Sequence, residues 1–100
     1  MVKEDIQKLS DLMKTMVRMT EKDGLERGFV LCDSWHIIPG EGSNKMMFIE
    51  PCPVDESTIV SFHTHPSGSP FPSKDDIETW YKRKVKMACI GTSKTILCFI

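Results

Sequence analysis

Two histidines spaced two apart, His63 and His65, open the segment with the clearest chemical content. It reads Phe62-His63-Thr64-His65-Pro66 and is followed, after six intervening residues, by Ser73-Lys74-Asp75-Asp76. In an extended chain alternate side chains share a face, so the two imidazoles lie parallel while Thr64 points away. Two imidazoles so placed can hold one metal ion, at about 2.0–2.1 Å each for zinc. Pro66 ends the strand, and the stretch from Pro66 to Pro72, with three prolines and a glycine, reads as a rigid loop. Ser73 has the character of an N-cap, which places Asp76 in the first helical turn, where unpaired backbone N–H groups favour a carboxylate. Two neutral imidazoles and one carboxylate leave a fourth tetrahedral position for water, as catalytic zinc requires; a structural site would be closed by a fourth side chain. Ser73-x-x-Asp76 is also the spacing of a capping box, and one Asp carboxylate has an oxygen for each role.

Together these residues resemble the signature of the JAMM (MPN+) family of zinc metalloproteases: an upstream Glu, then His-x-His-Pro, then Ser-x-x-Asp. His63, His65, Pro66, Ser73 and Asp76 match its downstream half. The resemblance implies an α/β fold in which a mixed β-sheet is flanked by α-helices, an architecture related to cytidine deaminases. It also implies one Zn2+ held by His63, His65 and Asp76 with water as fourth ligand. The implied reaction is hydrolysis of isopeptide or peptide bonds to ubiquitin or ubiquitin-like modifiers. Of Glu21, Glu26, Glu41, Glu50 and Glu56, Glu26 best fits the upstream position, because it opens a strand and precedes Gly28 and Phe29-Val30-Leu31. The family normally has glycine three residues after this Glu, where this chain has Phe29. In the implied mechanism zinc lowers the pKa of its water and polarises the scissile carbonyl. Glu26 takes the water's proton and passes it to the leaving lysine amine, and Ser73 helps hold the oxyanion.

Competing readings divide on particular residues. Zinc nucleoside deaminases need His-x-Glu and a later Pro-Cys-x-x-Cys; Pro51-Cys52-Pro53-Val54-Asp55 lacks the second cysteine and lies upstream of the histidines. His-Glu-x-x-His is absent, and Gly40-Glu41-Gly42-Ser43-Asn44-Lys45 lacks the ending of a P-loop. The RadC-type branch of the same superfamily, linked to DNA repair, has a phrase that His63 to Asp76 reproduces almost residue for residue. Thirteen basic against fourteen acidic residues offer no bulk attraction to phosphate backbones, so no nucleic-acid partner is expected. A non-catalytic MPN scaffold is the third reading, although such modules usually lack one or more of the ligands retained here.

The elements that position these groups follow from periodicity. Ile6, Leu9, Leu12, Met13, Met16, Val17 and Met19 fall at helical spacing between Glu4 and Thr20, and Lys22-Asp23-Gly24 ends that helix. Strands are predicted over 25–32, 35–38, 46–49, 59–63, 85–90 and 95–100. A turn is predicted over Pro39 to Asn44, and a second helix from Ser73 to about Lys84. With 40% apolar and 27% charged residues over 100 positions, residues 1–100 are expected to form a single folded domain. The four cysteines form no Cys-x-x-Cys pair and read mostly as small, reduced core residues, with a Cys89–Cys98 bridge open if the two strands pair. The start lacks a signal-peptide profile and no apolar run is long enough for a bilayer, so a cytoplasmic protein with no membrane partner is expected. The short length suggests a minimal prokaryotic-type member, acting on small ubiquitin-like or sulfur-carrier proteins through their diglycine tails. The chain ends inside an apparent strand, so a homodimer covering that face is a further expectation.

Overall fold

The structure is a computed structural model that describes residues 3–42 and 47–100. Its elements run α1 (Lys3–Asp23), β1 (Arg27–Cys32), β2 (Ile37–Gly42), β3 (Met47–Phe48), β4 (Thr58–Thr64), α2 (Lys74–Arg83), β5 (Met87–Gly91) and β6 (Ile96–Phe99). The strands form one six-stranded sheet in the order β3-β2-β1-β4-β5-β6. Only β4 and β5 are parallel; every other neighbour pair is antiparallel. The expected mixed sheet with helices is therefore present. Because α2 lies on the crossover between the parallel strands β4 and β5, its N-terminus follows directly from the loop that leaves the C-terminal end of β4.

The alternation of side chains divides the core. Phe29, Leu31, Val60, Phe62 and Cys89 project to one face and pack with Met13, Leu9, Leu12, Met16 and Val17 of α1. Val30, Cys32 and Ile49 pack on the opposite face with Ile38 and Cys52. This second face carries the chemistry: Gly28 and His63 are register partners there, one pair beyond Val30 and Ser61. The α1 helix ends at Gly24, whose φ of +72° is a left-handed conformation that costs glycine little, and whose N–H closes on the Thr20 carbonyl. Of the apolar residues in α2 only Trp80 turns inward, its ring 6.2 Å from that of His63 and 5.9 Å from that of Phe99. Ile77 and Tyr81 remain exposed.

Two expectations are corrected. Pro39, Gly40, Glu41 and Gly42 were expected in a turn but extend β2, while Trp35 and His36, expected in that strand, precede it. Pro39 is tolerated for a geometric reason. Cys32 N–H bonds the His36 carbonyl, so by alternation Phe29 and Pro39 form a non-hydrogen-bonded pair, and the missing N–H of Pro39 faces the outer edge. The outer neighbour β3 pairs only with Glu41 and Gly42. The predicted tip, Ser43-Asn44, and Met46 of the predicted third strand lie outside the described residues. The second correction concerns the cysteines: they are not reduced thiols but two disulfides, Cys32–Cys52 and Cys89–Cys98. Cys89 and Cys98 are direct cross-strand partners in the β5–β6 register, the arrangement that brings two sulfurs within bonding reach. Among the described residues, no helix is long and apolar enough to cross a membrane.

Gly91, the last residue of β5, shows how closely α1 approaches the sheet. A Cβ there would lie 2.7 Å from Val17 Cγ2 and 2.8 Å from the Phe62 ring. Gly91→Ala is therefore expected to destabilise the fold by about 1–3 kcal/mol through overpacking, a loss that a thermal melt followed by circular dichroism reads directly.

Candidate metal centre

The end of β4 presents its side chains alternately, as an extended strand must. His63 projects away from α1 and is almost fully buried, whereas Thr64 projects toward α1 and is 1% exposed. The chain stays extended one residue further because His65 N–H donates to the Gly91 carbonyl at 3.0 Å, continuing the parallel pairing with β5. The two imidazoles thus emerge side by side, their centroids 4.7 Å apart. The chain then turns: Gly68, at φ +84°, donates its N–H to the His65 carbonyl at 3.1 Å. This brings the Ser69 carbonyl to 2.9 Å from His65 Nδ1. A carbonyl can only accept, so Nδ1 carries a proton, and in the neutral imidazole the Nε2 lone pair is left for a ligand role.

The helix that returns Asp76 is fixed by its own cap. Asp76 N–H donates to Ser73 Oγ at 3.1 Å, and Ser73 N–H donates to Asp76 Oδ2 at 2.9 Å, completing the anticipated capping box. His63 Nε2 then lies 3.3 Å from Asp76 Oδ1, His65 Nε2 lies 3.3 Å from Asp76 Oδ2, and the two Nε2 atoms are 2.9 Å apart. Capping and convergence are not split one oxygen each, because Oδ2 takes the cap bond and also faces His65. Tetrahedral ligands held about 2.0–2.1 Å from zinc are separated from one another by roughly 3.3 Å. The spacings between the two nitrogens, and from each nitrogen to one or the other Asp76 oxygen, are close to that size, and nitrogen and oxygen donors suit a borderline divalent cation. His63, His65 and Asp76 thus form a group able to hold a metal ion.

Electrostatics agree with that geometry. Burial disfavours the Asp76 charge, but hydrogen bonds from His63, His65 and the Ser73 N–H outweigh it and hold the carboxyl well below the usual carboxylate range. The hydrogen bond to Asp76 raises the His65 pKa, against the opposing pull of burial. Glu26 immediately precedes β1, two residues before the Gly28–His63 register pair. Burial pushes its carboxyl pKa up; the charges of His63 and His65 pull it partly back and that of Asp76 pushes it further up. Its Oε2 is buried, with no hydrogen-bond partner among the described residues. A desolvated carboxylate oxygen that no described residue engages has its lone pairs free for a proton.

All five residues singled out in the sequence are accounted for. His63, His65 and Asp76 converge, Ser73 caps the helix that carries Asp76, and Glu26 feels the charge of all three ligands. Sequence reasoning missed the Ser69 carbonyl that sets the His65 tautomer and the Trp80 ring beside His63. A backbone carbonyl leaves no trace in residue type, but the i, i+4 placement of Trp80 after Asp76 could have suggested that both face the strand end.

Residues 34–98 match the family of prokaryotic homologs of the JAB domain. The match takes in β2 to β6 and α2, with His63, His65, Ser73 and Asp76; it begins downstream of Glu26, whose place rests on geometry alone. Comparison with curated proteins gives no match.

Protons compete with a cation for His65. Because its folded pKa lies above the ordinary 6.5, metal affinity is expected to be full above that raised value and to fall as pH drops through it. The ion-free protein should show the opposite slope. Its His65–Asp76 contribution is present below the unfolded value and lost as pH rises through the folded one. Calorimetric Zn2+ titrations and paired thermal melts between about pH 5 and 8 check both slopes.

Proposed function

This chain belongs to the family of prokaryotic homologs of the JAB domain, and on that premise we propose that it is a zinc-dependent hydrolase. Its proposed substrates are isopeptide or peptide bonds C-terminal to ubiquitin-like or sulfur-carrier modifiers. The single observation that carries the reading is the convergence of two imidazoles and a carboxylate with the unpartnered, desolvated Glu26 carboxyl beside them. Bound to His63, His65 and Asp76, zinc would supply Lewis acidity toward the attacking water and the scissile carbonyl.

The chain's own residues do the rest. Glu26 Oε2 accepts the proton of the attacking water, and its raised pKa brings it nearer the operating pH, where a carboxylate both takes and returns a proton efficiently. The same carboxyl then protonates the departing amine. Ser73 Oγ accepts the Asp76 N–H, so its own hydrogen remains free to donate to the developing oxyanion. His65, held by the Ser69 carbonyl, keeps its Nε2 directed at the cluster without rearrangement. A protein substrate is supported by the surface beside the site: Ile77 and Tyr81, one turn apart on the helix that carries Asp76, are 53% and 85% exposed.

Glu26→Gln is expected to keep the metal and to lose about 10²–10⁴ in kcat toward lysine isopeptide conjugates and linear fusions bearing a Gly-Gly terminus. Cleavage of both at the native rate would remove Glu26 from the mechanism. Ser73→Ala should cost about 10²–10³ in rate and, by removing the N-cap, about 1 kcal/mol in stability. Kinetics and a denaturant titration separate these two effects, and Ser73→Thr should recover most of both.

A further inference from the structure

Three hydrogen bonds through two buried hydroxyls tie α1, β4 and the segment entering β1 into one chain. Arg27 N–H lies 2.9 Å from Thr64 Oγ1, Thr64 Oγ1 lies 2.8 Å from Thr20 Oγ1, and Thr20 Oγ1 donates to the Leu25 carbonyl at 2.8 Å. Each hydroxyl has one proton. Thr20 commits its proton to a carbonyl that can only accept, so Thr64 is the donor to Thr20, and the Thr64 oxygen receives Arg27 N–H. The direction of every bond is thereby set. Thr20 and Thr64 are 5% and 1% exposed, so water offers little alternative to either.

What the chain connects gives it a role. Its two ends, the Leu25 carbonyl and the Arg27 amide, are the backbone groups on either side of Glu26, and its middle, Thr64, is the residue between His63 and His65. The outer side of the same segment is also held. Asp23 Oδ1 accepts Leu25 N–H at 3.0 Å and Arg27 Nη1 at 2.8 Å. Glu26 Oε2, by contrast, is buried with no hydrogen-bond partner among the described residues. The location of that carboxylate is therefore set by the backbone that carries it.

We propose that Thr20 and Thr64 are positioning residues for Glu26. Their paired hydroxyls lock the Glu26 backbone to the His63–His65 segment, so that the carboxyl it carries is held where it feels the charge of the metal ligands. The inference rests on the reading of Glu26 as the proton carrier. It extends the machinery to α1, whose last residue, Asp23, holds the outer side of the same segment.

Thr20→Val keeps the shape of the side chain and removes the hydroxyl. In zinc-loaded protein, assayed with a Gly-Gly isopeptide conjugate of lysine, it is expected to lower kcat roughly ten- to hundredfold, as misplacement of a catalytic group does. KM should change by less than about twofold and bound zinc should be unchanged, because no ligand is touched. Thr20→Ser, which retains the donor, should restore kcat. In a Glu26→Gln background Thr20→Val should add no further loss, since the group it positions is already gone. A readout without turnover is amide hydrogen exchange: Thr20→Val should accelerate exchange at Arg27 about tenfold or more while Phe62 and Cys89 in the sheet interior keep their protection. Native kcat in Thr20→Val overturns the proposal. So does a Thr20→Ser variant as impaired as Thr20→Val, a loss of zinc in step with activity, an additive loss in the Glu26→Gln background, or unchanged Arg27 exchange. Full activity of Glu26→Gln would instead refute the reading of Glu26 itself, whereas an inactive Glu26→Gln beside a fully active Thr20→Val refutes only the positioning role.

Discussion

The Asp76 carboxylate is the point on which the rest of the centre depends. It is half-buried, where an isolated charge is costly, and it remains ionised because two imidazoles and a backbone N–H converge on it. The same carboxylate caps α2, so the position of the helix and the position of the charge are one constraint. Disturbing the cap would move a ligand, and disturbing the imidazoles would leave the charge with the Ser73 N–H alone. The parallel crossover explains why this arrangement is available at all. A strand ending in His63 and His65 leads through a proline-containing loop to a helix whose N-terminus points back at that strand end. Sheet topology sets the direction and the capping box fixes the first turn that carries Asp76.

Around this core the fold supplies restraints that act on one ligand at a time. The Ser69 carbonyl sets the His65 tautomer, the Gly91 carbonyl holds the His65 backbone in line with β5, and Trp80 lies beside His63. None of these groups is itself a ligand. Each removes a rotamer or tautomer that would otherwise compete with metal binding, which is how supporting contacts tune a metal site.

Much of the centre was legible in the sequence because its chemistry is local. His63, His65, Ser73 and Asp76 lie within fourteen consecutive residues, and the strand period, a proline and a capping box suffice to bring them together. Periodicity indicated the strands and the two helices, the family resemblance implied that the sheet is mixed, and the family match over residues 34–98 agrees with it. What escaped depends on partners distant in sequence. The disulfides follow from cross-strand neighbours: Cys98 is opposite Cys89 by register, and Cys52 meets Cys32 across the return from β3. Pro39 and its glycines read as a turn because composition records what usually breaks a strand; it does not record that this strand's outer edge is free at that point. The Glu26 spacing is irregular relative to the family, yet its carboxyl feels the charges of His63, His65 and Asp76, which come from distant parts of the chain.

X-ray absorption at the zinc edge of protein loaded with one equivalent of metal tests the central claim most directly. The account predicts a four-coordinate shell of nitrogen and oxygen at about 2.0–2.1 Å, with the multiple-scattering signature of two imidazoles and no sulfur. Replacing either His63 or His65 by alanine should remove one imidazole contribution. A shell containing sulfur, or one that is unchanged when His63 or His65 is replaced, would contradict it.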